Sequence, residues 1–174
     1  MNKKSINWIT FTAMGIGLII VIQSIGQYIP DMLTIFGPFS LKQLIIGSLV
    51  NTTLLVFTWK SGLTSGITIG IISAFLAAVL GMSQMVIAPA VAIGNALICV
   101  VYHFLVNKSN HYIAVVLGAI VKCGFLWVVV PMLLETSGLP APAVSKLSLM
   151  MSWPQGITAL CGGLLSEPVI DRFK

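Results

Sequence analysis

Four polar side chains interrupt long apolar stretches of this 174-residue sequence: Asn51, Asn95, Lys122 and Gln155. Together they offer amide donors and acceptors and one ammonium, equipment for holding a small polar molecule rather than for breaking a bond in it. Bond-making would call for a nucleophile beside a base, or a metal cluster, and the sequence contains no HExxH, no GxSxG and no paired acidic motif. No enzymatic activity is expected. Lys122 sets the sharpest condition on the fold. A charge at the centre of a bilayer costs at least about 2.5 kcal/mol, so this lysine must face protein and have a partner. The four acidic residues, Asp31, Glu135, Glu167 and Asp171, fall in connections or at segment ends. A bound anion is therefore the expected partner; a stem that snorkels to an interface, or bonds to backbone carbonyls and hydroxyls, is the alternative. Taken singly, each amide would more often be a helix-bridging contact worth about 0.6 kcal/mol. Their convergence at one depth is what points to a ligand site.

That depth follows from the elements. The chain is 57% hydrophobic and 7% charged, with a mean hydropathy of +1.05, whereas a soluble domain carries about 25% charged residues. Apolar blocks cover residues 8–26, 41–59, 66–80, 85–106, 112–134 and 147–166. Most are long enough to cross about 30 Å of hydrocarbon at 1.5 Å per residue, and the third is short. Barrel strands would be about ten residues long and alternate in polarity, which these blocks do not. The expected fold is an all-α integral membrane protein, a single six-transmembrane-helix bundle spanning 1–174, with connections too short for a soluble module. Counted from the outward ends of the helices, Gln155 lies roughly 10 Å deep, Asn51 and Asn95 roughly 15 Å, and Lys122 roughly 18 Å. Helical spacing puts Ala88, Ala92 and Cys99 on the face of Asn95, Gly118 and Phe125 on that of Lys122, and Met151, Ala159 and Gly162 on that of Gln155.

The formal charge of +5 rests on 9 Lys+Arg and 4 Asp+Glu, too few basic residues to track a nucleic acid backbone. It is explained by topology. Lys3, Lys4, Lys60, Lys108, Arg172 and Lys174 share one side, while Lys42 and Lys146 lie on the other with Asp31 and Glu135, so the positive-inside rule places both termini in the cytoplasm. The first apolar run also exceeds the usual core of a cleavable signal peptide. Two outward connections are longer than the rest: 27–40, with Pro30, Gly37 and Pro38, and 135–146, with Gly138, Pro140 and Pro142. These are candidate lids. Cys99, Cys123 and Cys161 have no CxxC spacing, and His103 and His111 no ligand-spaced companion, so neither a disulfide framework nor a metal site is expected. The tryptophans, Trp153 included, read as interfacial anchors. Small residues form close-approach faces at Ala13 and Gly17 in the first span, and at Gly66, Gly70, Ala74 and Ala78 in the third.

Six spans in this length, Ala13 and Gly17, Gly47-Ser48-Leu49-Val50-Asn51, Pro89 with Gly94-Asn95, and the run from Ser152-Trp153-Pro154-Gln155 to Gly162-Gly163 together resemble the substrate-binding S component of an energy-coupling-factor (ECF) vitamin transporter. The resemblance covers nearly the whole chain. It implies capture of a vitamin or related micronutrient from outside, and association with a transmembrane coupling subunit and two cytoplasmic ATPases. The family's small-residue docking face would correspond to Ala13 and Gly17, where AxxxA reads AxxxG. No cofactor is implied, and no Walker A sequence is present, in keeping with an ATPase supplied in trans. The histidine-ligating start of the metal-importing members is missing from Met1-Asn2-Lys3. The rival reading is a stand-alone secondary carrier or channel-like membrane protein, which would be expected to show an intramembrane acidic or histidine relay.

Overall fold

Hydrocarbon offers a backbone no hydrogen-bonding partner but itself, so apolar runs close their bonds within each segment. The computed structural model describes residues 3–30, 34–37 and 39–173, with side chains for all of these except 3–5 and 36. Met1, Asn2, Asp31, Pro38 and Lys174 lie outside the described residues, as do the side chains of Lys3 and Lys4. The helices are α1 (Lys3–Gly26), α2 (Leu41–Ser61), α3 (Leu63–Val79), α4 (Ala88–Val106, reached through a 3₁₀ turn at Met85–Ile87), α5 (His111–Glu135), α6 (Ala141–Met150) and α7 (Trp153–Asp171). A short antiparallel hairpin, β1 (Thr34–Phe36) and β2 (Phe39–Ser40), lies between α1 and α2 in this otherwise all-helical fold; it turns at Gly37, whose φ of 55° suits glycine.

Among the described residues, four segments are long and apolar enough to cross a membrane: Ile6–Gly26, Leu41–Ser61, Met85–Val106 and His111–Glu135. The third expected span is α3, apolar but only 17 residues long. The sixth, expected over 147–166, is corrected. The chain breaks at Met151 and Ser152, where Ser152 has φ −93° and ψ −115° and its hydroxyl closes α6 by donating to Leu149 O at 2.7 Å. Pro154 has no N–H to continue a preceding helix but fits the first turn of a new one, so α7 starts at Trp153. The connection 135–146 is corrected with it. Pro140 caps α6, a ten-residue helix in which no residue is buried.

Glycines let the helices meet. A Cβ added to Gly162 on α7 would sit 2.5 Å from Ser48 O and 2.6 Å from Asn51 Cβ, so α2 and α7 cross there in backbone contact, sealed by Thr52 Oγ1 donating to Gly162 O at 3.0 Å. Gly94 faces Leu126, and Gly118 faces Ile98 with an added Cβ at 3.0 Å, which draws α4 against α5. On α3, Gly66 meets Thr58 and Cys99, and Gly70 meets Asn95. That small-residue row therefore packs within the molecule. One apolar core surrounds Leu54, Leu55, Ile69 and Ile98; a smaller one joins Leu126, Val130 and Leu134 to Ile87 and Met151.

Side chains fix the remaining registers. Along α1, Trp8 Nε1 donates to Thr64 Oγ1 at 3.0 Å and the Thr12 and Ser65 hydroxyls meet at 2.9 Å. Further on, Gln23 and Gln27 donate to Ser73 O and Leu80 O at 2.9 and 3.1 Å. His111 joins α4, α5 and α7: its Nε2 lies 3.1 Å from Gly163 O and its Nδ1 3.0 Å from the Tyr102 hydroxyl. A carbonyl only accepts, so Nε2 carries the proton and Nδ1 accepts from Tyr102. Trp153 packs edge-on against Phe39, 5.3 Å between centroids. It therefore braces the hairpin, a role beyond that of an interfacial anchor.

Candidate functional site

The glycine crossings place three of the four singled-out side chains in contact. The α2–α7 crossing sets Asn51, the close approach of Gly70 sets Asn95, and the α4–α5 seam sets Lys122 between them. Lys122 Nζ donates to Asn51 Oδ1 and to Asn95 Oδ1, each at 2.8 Å. Asn51 Nδ2 donates to Gly47 O at 2.8 Å, and Asn95 Nδ2 to Gly70 O at 3.0 Å and Ser73 Oγ at 3.1 Å. With their nitrogens engaged, both amides present oxygen to the ammonium. All three side chains are at most 2% exposed, so Lys122 does not snorkel and takes side-chain amides, not backbone carbonyls, as partners. Those partners are dipoles. They satisfy two of the three ammonium N–H groups and leave its charge uncompensated.

A cavity of about 470 Å³ runs from this cluster to the far end of the bundle, where α1, α3 and α5 finish and α2, α4 and α7 begin. Asn51, Asn95, Lys122 and Gln155 all line it. Gln155 stands apart from the triad, its Nε2 3.5 Å from Met151 Sδ. Toward the far end the walls are Thr34 and Gly37 of the hairpin, Gly81 to Ser83 between α3 and α4, and Lys146 and Met150 of α6. Lys42 and Lys146 join Lys122 on the lining, and no acidic residue does so among the described residues. Such a lining suits an anionic ligand. Among the described residues, no group of three or more His, Cys, Asp or Glu side chains comes together to hold a metal.

The sequence reading missed Gln23, Gln43 and Ser73, which also line the cavity. A signal existed for Gln23: an amide inside an apolar block carries the same cost that singled out Asn95. Gln43 and Ser73 had no comparable mark, because one lies in a first helical turn and serine is common in helix interfaces.

Ala13 and Gly17 lie far from the cavity, exposed on α1. A Cβ added to Gly17 would meet no atom within 4 Å, whereas one added to Gly15 would strike Ile69. The first span thus has two small-residue sides, one packed inward and one bare.

Fold and cavity together define the class: an all-helical, membrane-embedded protein with a largely apolar chamber between its helices into which amides and three lysines project. Comparison with protein-family models, curated proteins and solved structures finds no match.

Proposed function

We propose that this chain is the substrate-binding S component of an ECF-type transporter that imports a vitamin or related micronutrient bearing an anionic group. It would lie in a bacterial plasma membrane as six spans with both termini cytoplasmic, α3 and α7 completing the four longer helices. The observation that carries the reading is Lys122, a fully buried ammonium held by two neutral amides at the base of a chamber lined by further lysines. On the proposed orientation the chamber faces outward. The bare Ala13 and Gly17 side of α1 supports a docking role toward a coupling subunit, with two separate ATPases supplying the energy.

Affinity purification of the tagged chain from its native membrane tests the assembly. Recovery of a membrane subunit with two ATPases is expected; transport by the chain alone in vesicles would favour a stand-alone carrier instead. For the site, Lys122→Met keeps most of the stem volume and removes the charge. The anion identified by native mass spectrometry should then bind about ten- to over a hundredfold more weakly, the equivalent of about 1.5 to 3 kcal/mol. Unchanged affinity would remove Lys122 from the site.

A further inference from the structure

Much of the polarity on the chamber lining is engaged within the protein itself. At the base, Asn51 and Asn95 have oxygen and nitrogen bonded, and Ser73 Oγ donates to Gly70 O at 2.9 Å while accepting from Asn95. Gln23 and Gln43 hold backbone carbonyls through their nitrogens, at 2.9 and 2.8 Å, and the oxygens of both glutamines and of Ser83 are buried out of reach. Two groups keep capacity for a ligand below the mouth. One is the Lys122 ammonium, with one N–H beyond the two that the amides take. The other is Gln155, whose nitrogen has only the Met151 thioether, at 3.5 Å, as a partner. Between base and mouth the lining is a belt of apolar side chains: Ile46 and Val50 on α2, Ala74 and Ala77 on α3, Val91 on α4, and Met151 just before α7. Each stands mouthward of the polar residue that its own helix sends to the lining, Asn51, Ser73, Asn95 or Gln155. For Ile46 and Val91 the offset is about 6 to 8 Å at 1.5 Å per residue. The belt offers close contact and few hydrogen bonds.

We infer that the ligand of this chamber is an amphipathic organic acid bound head down, with a single anionic group at Lys122 and an apolar chain or ring against the belt. The inference rests on the anion-binding reading of Lys122 and narrows it. Lys122 alone would serve an inorganic anion or a heavily hydroxylated acid equally well; the belt does not. A polar body would exchange its water for walls that return few hydrogen bonds, which is unfavourable. An apolar body gains instead, by about fourfold in affinity for each methylene taken fully out of water. Lys122 then supplies affinity common to all acids, and the belt selects among them. The competing design is a dianion that reaches from Lys122 to Lys146, which is exposed at the mouth.

Three acids of equal chain length test this on the purified full-length chain in lipid nanodiscs, with the signal of empty nanodiscs subtracted. Heptanoate is the apolar acid, 3,6-dioxaheptanoate replaces two of its methylenes by ether oxygens, and heptanedioate adds a second carboxylate. Dissociation constants are measured by calorimetry on wild type, on Lys122→Met and on Asn51→Asp, whose countercharge keeps the fold if Lys122→Met does not. Wild type is expected to bind heptanoate more than threefold more tightly than either of the other acids, and both variants are expected to weaken heptanoate at least tenfold. A preference of threefold or less over the ether acid overturns the inference. Heptanedioate binding within threefold of heptanoate, or more tightly, overturns it in favour of the dianion. If wild type does not separate heptanoate from the ether acid and the variants lose both, the anion site stands and the apolar body fails. If heptanoate is preferred but a folded variant weakens it by less than tenfold, its carboxylate is not held at Lys122, and the inference falls with the reading beneath it. The same holds if wild type binds none of the three.

Discussion

Neutral oxygens hold Lys122, and that distinguishes it from a lysine in an ion pair. Asn51→Asp would put a carboxylate where an amide oxygen now accepts at 2.8 Å, sacrificing only a bond to Gly47 O four residues back in the same helix. The ammonium would gain a countercharge and the chamber would lose its net positive base. Anion affinity is expected to fall at least tenfold while thermal stability is kept or raised, both measurable on the purified protein. Asn95→Leu should act the other way. It strips one acceptor from a buried charge, at a cost of about 1 to 3 kcal/mol in unfolding free energy measured by denaturant titration. The sequence revealed that Lys122 was deep and needed a partner, because cost and depth can be counted along a helix. The identity of that partner was not legible. A search for opposite charge passes over amides, and whether Asn51 and Asn95 meet the lysine depends on crossings set by Gly162 and Gly70 on other helices.

Those crossings belong to the scale of elements. Gly162→Leu would drive a side chain into Ser48 O and Asn51, forcing α2 from α7 and carrying Asn51 from Lys122. Overpacking of this kind costs about 1 to 3 kcal/mol, so a lower melting temperature and a loss of ligand binding should appear together. Ala13→Leu and Gly17→Leu are expected to separate those properties. Their side of α1 is bare, so the isolated variants should fold and bind as wild type, while recovery of a coupling subunit drops. Normal assembly by both variants would exclude this docking face. Most helices could be read from their apolar runs, but α6 could not. Its ten residues bury none of their number fully, and the face that packs Val144 and Leu147 on the smaller core is too short to mark a helix, while Gly138, Pro140 and Pro142 around its start read as irregular backbone. The end of α6 depends on the Ser152 bend, which no periodicity encodes.

At the scale of the whole molecule, the chamber lies toward the far end, and His111 ties α4, α5 and α7 together toward the other. Cysteine labelling in intact cells tests the proposed orientation: Ser137→Cys, in the α5–α6 connection, should react with an impermeant maleimide, and Lys108→Cys, in the α4–α5 connection, should not. The opposite pattern would turn the chamber toward the cytoplasm. The place of Lys122 along the chain has a consequence for how the molecule is made. Both of its acceptors precede it, Asn51 by 71 positions and Asn95 by 27. Synthesis at about 5 to 20 residues per second gives α2 and α4 a lead on the order of seconds over the lysine. The charged segment is therefore born into a membrane where both amides are already waiting, and α5 need not sit in lipid with a bare ammonium while a later helix is translated.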